Sequence, residues 1–375
     1  MTALVFGVLA LYVALTLLLY YHWRQIPERP PTAQAPPTTR LSVIIPVRNE
    51  ADNIVALLQD LDRQTYPHFE VVVMDDASND GTGELVRRFA QHARYALHCH
   101  RLAPLDGVVA YKKRALAEGI SRSIGTLVVT TDGDCRVGPN WLRAIATAYE
   151  AERPALISAP VTFLGAKTLF EQMQVIEFAS LVGAGGASMQ AGAPNMCNGA
   201  NLAYERAAFE RVGGFAGTDH LASGDDELLM HKIARATQNR LLFLKTPAAV
   251  VQTRPHARLQ EFVQQRRRWA SKWQTYRDVR PRLLAVFIFS VHLLMLGSLG
   301  AAFAGAMDWA TVGLAWGIKA AVEALYLHRV VRDLGKPFRW FVFLGLQLAY
   351  SPYVVLFGVL GNLQKTYRWK GRFVR

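Results

Sequence analysis

Residues 41–50 read LSVIIPVRNE, residues 69–81 read FEVVVMDDASNDG, and residues 126–134 read TLVVTTDGD. Each stretch opens as a short apolar run rich in β-branched residues and closes on charged or turn-forming ones. Such runs predict buried strands at Leu41–Val47, Phe69–Met74 and Thr126–Thr131. Between the first two, Ile54, Leu57, Leu58 and Leu61 stand at i, i+3, i+4 and i+7, the spacing of one helix face. Strands alternating with helices predict an α/β fold with a mainly parallel sheet covered on both faces. Ligands of open sheets of this kind bind beyond the carboxyl ends of the strands. Three polar clusters fall there: Arg48-Asn49-Glu50, Asp75-Asp76 and Asp132-Gly133-Asp134.

Outward from this block the chain turns apolar. Of 375 residues, 51% are hydrophobic and 19% charged, against about 25% charged in an average soluble domain. This excludes a disordered polymer, a collagen or a low-complexity chain. Ala3–Tyr21 carries no charge and is long enough to span a bilayer. It has neither a basic start nor an A-x-A-like exit, which predicts an uncleaved anchor. Trp23 and Arg24 follow, then Pro27, Pro30, Pro31, Pro36 and Pro37 as a semi-extended linker. Leu283–Met307, Trp309–Val331 and Trp340–Leu363 are three further segments of spanning length. In the middle one, Lys319 and Glu323 stand four apart and can pair on one face. The expected plan is an anchor over 1–23, a linker over 24–40 and a soluble α/β domain over 41–255. An amphipathic interfacial helix follows over 256–282, then membrane or re-entrant helices over 283–364 and a basic tail over 365–375.

There are 42 basic and 29 acidic residues, a formal charge of +13. Much of the excess crowds the entry to the C-terminal segments: Arg254, Arg258, Arg266, Arg267, Arg268, Lys272, Arg277, Arg280 and Arg282. Beside a membrane segment, this charge points to anionic lipid rather than nucleic acid. The positive-inside rule places the soluble domain in the cytoplasm. Three full C-terminal crossings would then leave Lys365, Arg368, Lys370, Arg372 and Arg375 outside, against the same rule. One segment is therefore expected to be re-entrant or interfacial, and Pro352 marks the last as the place where a helix would break. Cys99, Cys135 and Cys197 cannot form a closed disulfide set and stand in no zinc spacing, as in a reducing compartment.

Each motif has two readings. Asp75–Gly81 is either a loop of turn formers or a carboxylate set for a base and ribose. Asp132-Gly133-Asp134 is a common pattern, yet two carboxylates at a strand exit can hold a hard divalent cation. Gly81-Thr82-Gly83 lacks the third glycine of a dinucleotide fingerprint and does not follow the first strand. Gly224-Asp225-Asp226-Glu227 is either ordinary helix-start chemistry or a place for a general base. Gln265–Trp269 (QRRRW) is either a basic helix on anionic lipid or a phosphate grip beside a stacking ring. Cys197–Asn201 reads as a turn. His220 and His231 read as structural. Leu169, Phe170, Met173 and Ile176 fit an interfacial helix or a core helix equally.

The order of these motifs is more specific than any one of them. Pro46-Val47-Arg48-Asn49-Glu50, Asp75-Asp76-Ala77-Ser78, Lys112 before Ala115-Leu116, D-x-D, Gly-Asp-Asp and Q-x-x-R-W follow one another. Over Leu41–Tyr276 this resembles the family 2 inverting glycosyltransferases of the GT-A fold. The last two motifs, with Cys197–Tyr204 (CNGANLAY) and Gly213-Gly214-Phe215, resemble the membrane-bound branch that includes cellulose, hyaluronan and ceramide-glucosyl synthases. The tail Trp369-Lys370-Gly371-Arg372 resembles a terminal motif that lies on the cytoplasmic side in lipid glycosyltransferases.

The resemblance implies roles. Pro46, Arg48, Glu50, Asp75 and Asp76 would hold the nucleotide, with Lys112 near the base or phosphates. Asp132 would meet ribose or metal, and Asp134 would bind Mg2+ or Mn2+. Asn201 and Asp225 would lie on the substrates, and Asp226 would be the catalytic base. Gln265 and Arg268 would grip the diphosphate, and Trp269 would line the acceptor site. The expected function is transfer of a sugar from a nucleotide-diphosphate sugar, with uridine diphosphate as the family's usual carrier. The acceptor would be a membrane-lipid hydroxyl at the cytoplasmic face of the inner membrane, since the chain offers fewer helices than a polymer tunnel needs. The alternative is a processive polysaccharide synthase with a glycan acceptor.

Overall fold

A computed structural model describes residues 1–28, 36–103, 110–221, 223–270, 279–363, 367–369 and 372–374. The linker residues Pro30 and Pro31, then Lys272, Tyr276 and Arg277, and in the tail Lys365, Lys370, Gly371 and Arg375, lie outside these. The chain forms two units. One holds residues 25–165, 184–255 and those after 367, and the other holds 1–24, 166–183 and 256–367.

The first helix, α1, is Thr2–Gln25. The sheet unit then runs β1 (Leu41–Val47), α2 (Ile54–Asp62), β2 (Phe69–Asp75), α3 (Thr82–Ala90), β3 (Ala96–Arg101), α4 (Tyr111–Arg122) and β4 (Leu127–Thr130). It continues through β5 (Arg136–Val137), α5 (Trp141–Glu152), β6 (Leu156–Ser158) and β7 (Val161–Phe163). After the long helix α6 (Leu169–Gln190) come β8 (Leu202–Glu205), α7 (Arg206–Arg211), α8 (Glu227–Ala236), β9 (Leu241–Phe243) and β10 (Val251–Thr253). The main sheet has seven strands in the order β3-β2-β1-β4-β8-β6-β9. β1, β2, β3 and β4 are parallel, while β8 runs antiparallel to both its neighbours. The expected strands and the helix face of Ile54, Leu57, Leu58 and Leu61 are all present, and those four side chains are buried. The continuous apolar runs of β1 and β2 fit this burial, because a parallel sheet is covered on both faces.

Register aligns the strand ends. Val47 pairs with Asp75, and Ile44 with Thr130. The residues just past each strand therefore emerge along one edge. A second, small sheet, β5-β10-β7, stands beside the D-x-D exit.

The other unit contains α1, the part of α6 up to Gly183, α9 (Leu259–Ala270), α10 (Val279–Phe303), α11 (Trp309–Asp333) and α12 (Trp340–Leu363). Four of these, α1 and α10 to α12, are long and apolar enough to cross a bilayer. Val5, Leu9 and Tyr12 of α1 pack with Val291 and Met295 of α10 and Val312 and Ala315 of α11. Lys319 and Glu323 pair as expected, at 2.8 Å. Tyr12 donates to Glu323, and Gln347 both accepts from Lys319 (3.1 Å) and donates to Glu323 (2.6 Å).

Two expectations are corrected. Pro352 does not break the last segment: α12 is one helix across it. Proline's lost backbone bond is tolerated in apolar helices of spanning length, and the adjoining Ser351 side chain bonds His292 of α10 at 3.0 Å. Residues 166–183 do not group with the sheet, as the range 41–255 required, but with the apolar helices. The cause is a set of buried polar ties: Gln174 donates to the His256 carbonyl (2.8 Å), and Glu177 pairs with Arg266. A two-stranded ribbon, β11 (Tyr367–Trp369) with β12 (Arg372–Val374), ends the described chain.

Candidate active site

The loops that leave β1 and β2 are laced together. Asn49 N–H donates to Ser78 Oγ (3.0 Å), Glu50 N–H to Thr82 Oγ1 (2.8 Å), and Ala51 N–H to Asp80 Oδ2 (3.0 Å). Arg48 donates to the carbonyls of Asp76 (2.6 Å) and Ala77 (3.1 Å). Asp75 is buried, and its Oδ1 accepts the Ser78 N–H at 2.8 Å. Asn49 and Ala77 hold φ of 52° and 54°, the left-handed region, an arrangement that costs about 1 kcal/mol or more for alanine. The cross-loop bonds hold it. The expected nucleotide residues Pro46, Arg48, Glu50, Asp75 and Asp76 thus lie on one ledge. Arg48 and Asp75 shape that ledge through the bonds just named.

The D-x-D turn sits on the same ledge. A Cβ on Gly133 would come within 2.9 Å of Val47 and 3.1 Å of Glu50, so only glycine fits between the two aspartates. Thr253 of β10 donates to Asp134 Oδ2 at 3.3 Å. Burial and the adjoining Asp132 carboxylate raise Asp134 above the ordinary aspartate range.

Lys112, in the first turn of α4, bridges two motifs. Its Nζ lies 2.7 Å from Asp132 Oδ1 and 3.2 Å from Asp225 Oδ2. Burial works against its charge, but Asp132, Asp225 and Asp226 outweigh that and raise it above the usual lysine range. Its neighbour Lys113, 1% exposed, donates to the carbonyls of Thr218 (2.6 Å) and Leu221 (3.0 Å). Two adjacent lysines thereby tie the Gly-Asp-Asp loop to α4.

Asp226 caps α8 by accepting the Glu227 N–H at 2.8 Å. It also accepts the Gly199 N–H at 3.1 Å. The Gly199 carbonyl in turn accepts from Thr130, the last residue of β4, at 2.7 Å. One residue therefore links the central strand to this carboxylate. A Cβ on Gly199 would stand 3.0 Å from Asp225 Oδ2 and 3.4 Å from the Asp226 Cβ, which explains glycine at that turn. Asn201, an expected substrate contact, is corrected to a staple. It is 1% exposed, donates to the Pro160 and Ala249 carbonyls at 2.7 Å each, and accepts from Trp141 at 3.0 Å.

Gln265, Arg268 and Trp269 lie on α9 in the other unit. The carboxamide oxygen of Gln265 accepts from Arg266. Trp269 stacks on Phe178 with ring centroids 6.0 Å apart.

A metal fits the donor set. Mg2+ and Mn2+ take hard oxygen ligands and are commonly held by one or two carboxylates plus substrate phosphates. Asp132 and Asp134 supply two carboxylates, and no group of three or more acidic, His or Cys side chains is so arranged among the described residues that it could hold a metal by itself. Four carboxylates, Asp132, Asp134, Asp225 and Asp226, face one ammonium. The buried hydroxyls of Ser223, beside the Gly-Asp-Asp motif, and Tyr204, which feels the Asp225 charge, have no hydrogen-bond partner among the described residues. Lys113 and Thr253 were missed by the sequence reading, and Gly199 and Tyr204 entered it only as members of the CNGANLAY run.

Comparison with known proteins adds three findings. The family model described as "Glycosyl transferase family 21" matches residues 4–375. The motifs that resemble family 2 all lie within that span. Among curated relatives, glycosyltransferase AglE of Haloferax volcanii is 30% identical over 207 residues, 52% of this chain and 61% of that protein. Undecaprenyl-phosphate 4-deoxy-4-formamido-L-arabinose transferase of Klebsiella pneumoniae is 30% identical over 119 residues, 31% of this chain and 35% of that one. The chain thus matches about three fifths of the first relative's length and a third of the second's. The solved mannosyltransferase PcManGT of Pyrobaculum calidifontis, in complex with GDP-Man and Mn2+, is 25% identical, with a TM-score of 0.57 over 95% of this chain and 98% of that one.

Proposed function

The chain belongs to glycosyl transferase family 21, and on that premise we propose that it moves a sugar from a nucleotide-diphosphate sugar to a membrane lipid. The observation that carries this is the acid-rich site around Lys112, with Asp226 held by the Gly199 N–H. The named activities of the relatives fit it: one acts on undecaprenyl-phosphate, and the solved neighbour holds GDP-Man with Mn2+. The four helices long enough to cross a bilayer fit a lipid acceptor.

In this reading the ledge of Pro46, Arg48, Glu50 and Asp76 holds the nucleotide. Asp132 and Asp134 would hold Mg2+ or Mn2+, which neutralises the charge of a departing diphosphate. Lys112 contributes a second positive charge at that point. Asp226 accepts the proton of the acceptor hydroxyl as its oxygen attacks the anomeric carbon. The new carbon–oxygen bond forms on the face opposite the one that breaks to the diphosphate, so the configuration inverts. Gln265 and Arg268 hold the diphosphate, and Trp269 lines the acceptor path. The basic entry to α10 supports a cytoplasmic sheet unit by the positive-inside rule.

The test is turnover of labelled UDP-glucose, UDP-N-acetylglucosamine and GDP-mannose by the detergent-purified full chain, with Mn2+ and a membrane lipid extract. Label recovered in the organic phase as one discrete species is expected. Label in a polymer would favour a processive synthase instead.

A further inference from the structure

Q-x-x-R-W leaves its second residue without a role, and that residue is the most constrained of the five. Arg266 is 3% exposed. Its Nε donates to Glu177 Oε1 at 3.0 Å and its Nη2 to Glu177 Oε2, while its Nη1 donates to Gln265. Glu177 is itself 4% exposed and accepts from the hydroxyl of Tyr353 on α12 at 2.9 Å. The guanidinium lies over two rings of its own helix, 4.5 Å from the Phe262 centroid and 4.2 Å from that of Trp269. All three nitrogens are engaged within the protein, and the group is sealed from solvent. Arg266 is therefore not placed to meet a diphosphate. A planar cation pinned on one side by a carboxylate presents a flat face to Trp269, and Phe178 closes the ring's surroundings.

We infer that Arg266 is a positioning residue for the acceptor side of the site: the Tyr353–Glu177–Arg266 relay fixes the plane of the Trp269 ring. The inference rests on the proposed function only for the claim that Trp269 meets the acceptor. A membrane helix thereby takes part in setting an acceptor contact through three side chains.

Two measurements test this. In the full chain labelled with 5-fluorotryptophan, the fluorine resonance lost in Trp269→Phe is that of Trp269. Tyr353→Phe and Arg266→Lys are expected to shift or broaden that line and to leave the lines of the other Trp residues in place. Arg266→Lys keeps a cation and a donor for Gln265 but loses the planar fork. It is expected to raise the acceptor KM on the order of 10-fold, the size of about 1.4 kcal/mol of lost ring contact. Tyr353→Phe should raise it by about 3-fold, and Mn2+-dependent donor affinity should stay within about 2-fold. An unmoved Trp269 line, or donor affinity and melting temperature falling together with acceptor use, would overturn the inference. A wild-type chain that transfers no sugar from any donor would sink the proposed function, while the fluorine spectra would still decide the relay.

Discussion

Two regions of this molecule hold lysine against carboxylate, and they differ in balance. On α11, Lys319 meets one carboxylate, Glu323, and the neutral Tyr12 and Gln347 complete the bonding. At the strand ends, Lys112 meets Asp132 and Asp225 with Asp134 and Asp226 close by. The first set is closed: each charge has its counterpart and each polar atom a partner. In the second set four carboxylates gather about one lysine among the described residues. Buried charge is stable only when paired. A one-to-one pair therefore reads as a staple between helices, and an acid-rich cluster as a site suited to a bound cation.

The comparison breaks most sharply at Asp226. Asp226→Asn keeps the cap geometry but removes the base, so kcat should fall by about 10²–10⁴-fold, with donor affinity nearly unchanged in a binding titration. A variant that transfers normally would show that the acceptor needs no base, as a lipid phosphate would not. Asp134→Ala should cost on the order of 100-fold in kcat/KM for the donor, and chelation should do the same to the wild type; full activity in chelator would remove the metal. Trp269→Ala should raise acceptor KM by about 10-fold and move donor KM little; the reverse pattern would transfer the ring to the donor side.

The balanced cluster sharpens the contrast from the other side. Glu323→Leu alone should lower the thermal midpoint clearly, since breaking one partner of a buried pair costs about 3–5 kcal/mol. Adding Lys319→Met should recover part of that loss, with turnover per folded molecule retained. Equal loss in the double variant would mean that the pair does more than staple α11.

The half of the fold that writes itself locally was legible in the sequence. β-branched runs flagged β1, β2 and β4, and the i, i+3, i+4, i+7 spacing flagged α2. Motif order named the acids now found near Lys112. What escaped depends on contacts between distant residues. No pattern in the sequence announces that Gly199 hands its N–H to Asp226, or that Lys113 holds carbonyls more than a hundred positions away. The resemblance made Asn201 a substrate contact, yet the fold spends its amide on three internal bonds. Arg266 stood in a run read either as a basic helix on lipid or as a phosphate grip, and its pairing with Glu177, on another helix, sets it apart. Pro352 suggested a break, but the helix continues through it.

The central claim is that the acid-rich site takes up a metal-bound nucleotide diphosphate. Its most direct test is calorimetric titration of UDP and of GDP into the detergent-purified full chain, with and without Mn2+. Saturable binding of at least one nucleotide is predicted, dependent on Mn2+, lost in Asp134→Ala and kept in Asp226→Asn. Binding that ignores both Mn2+ and Asp134, or no binding of either nucleotide, would contradict the account.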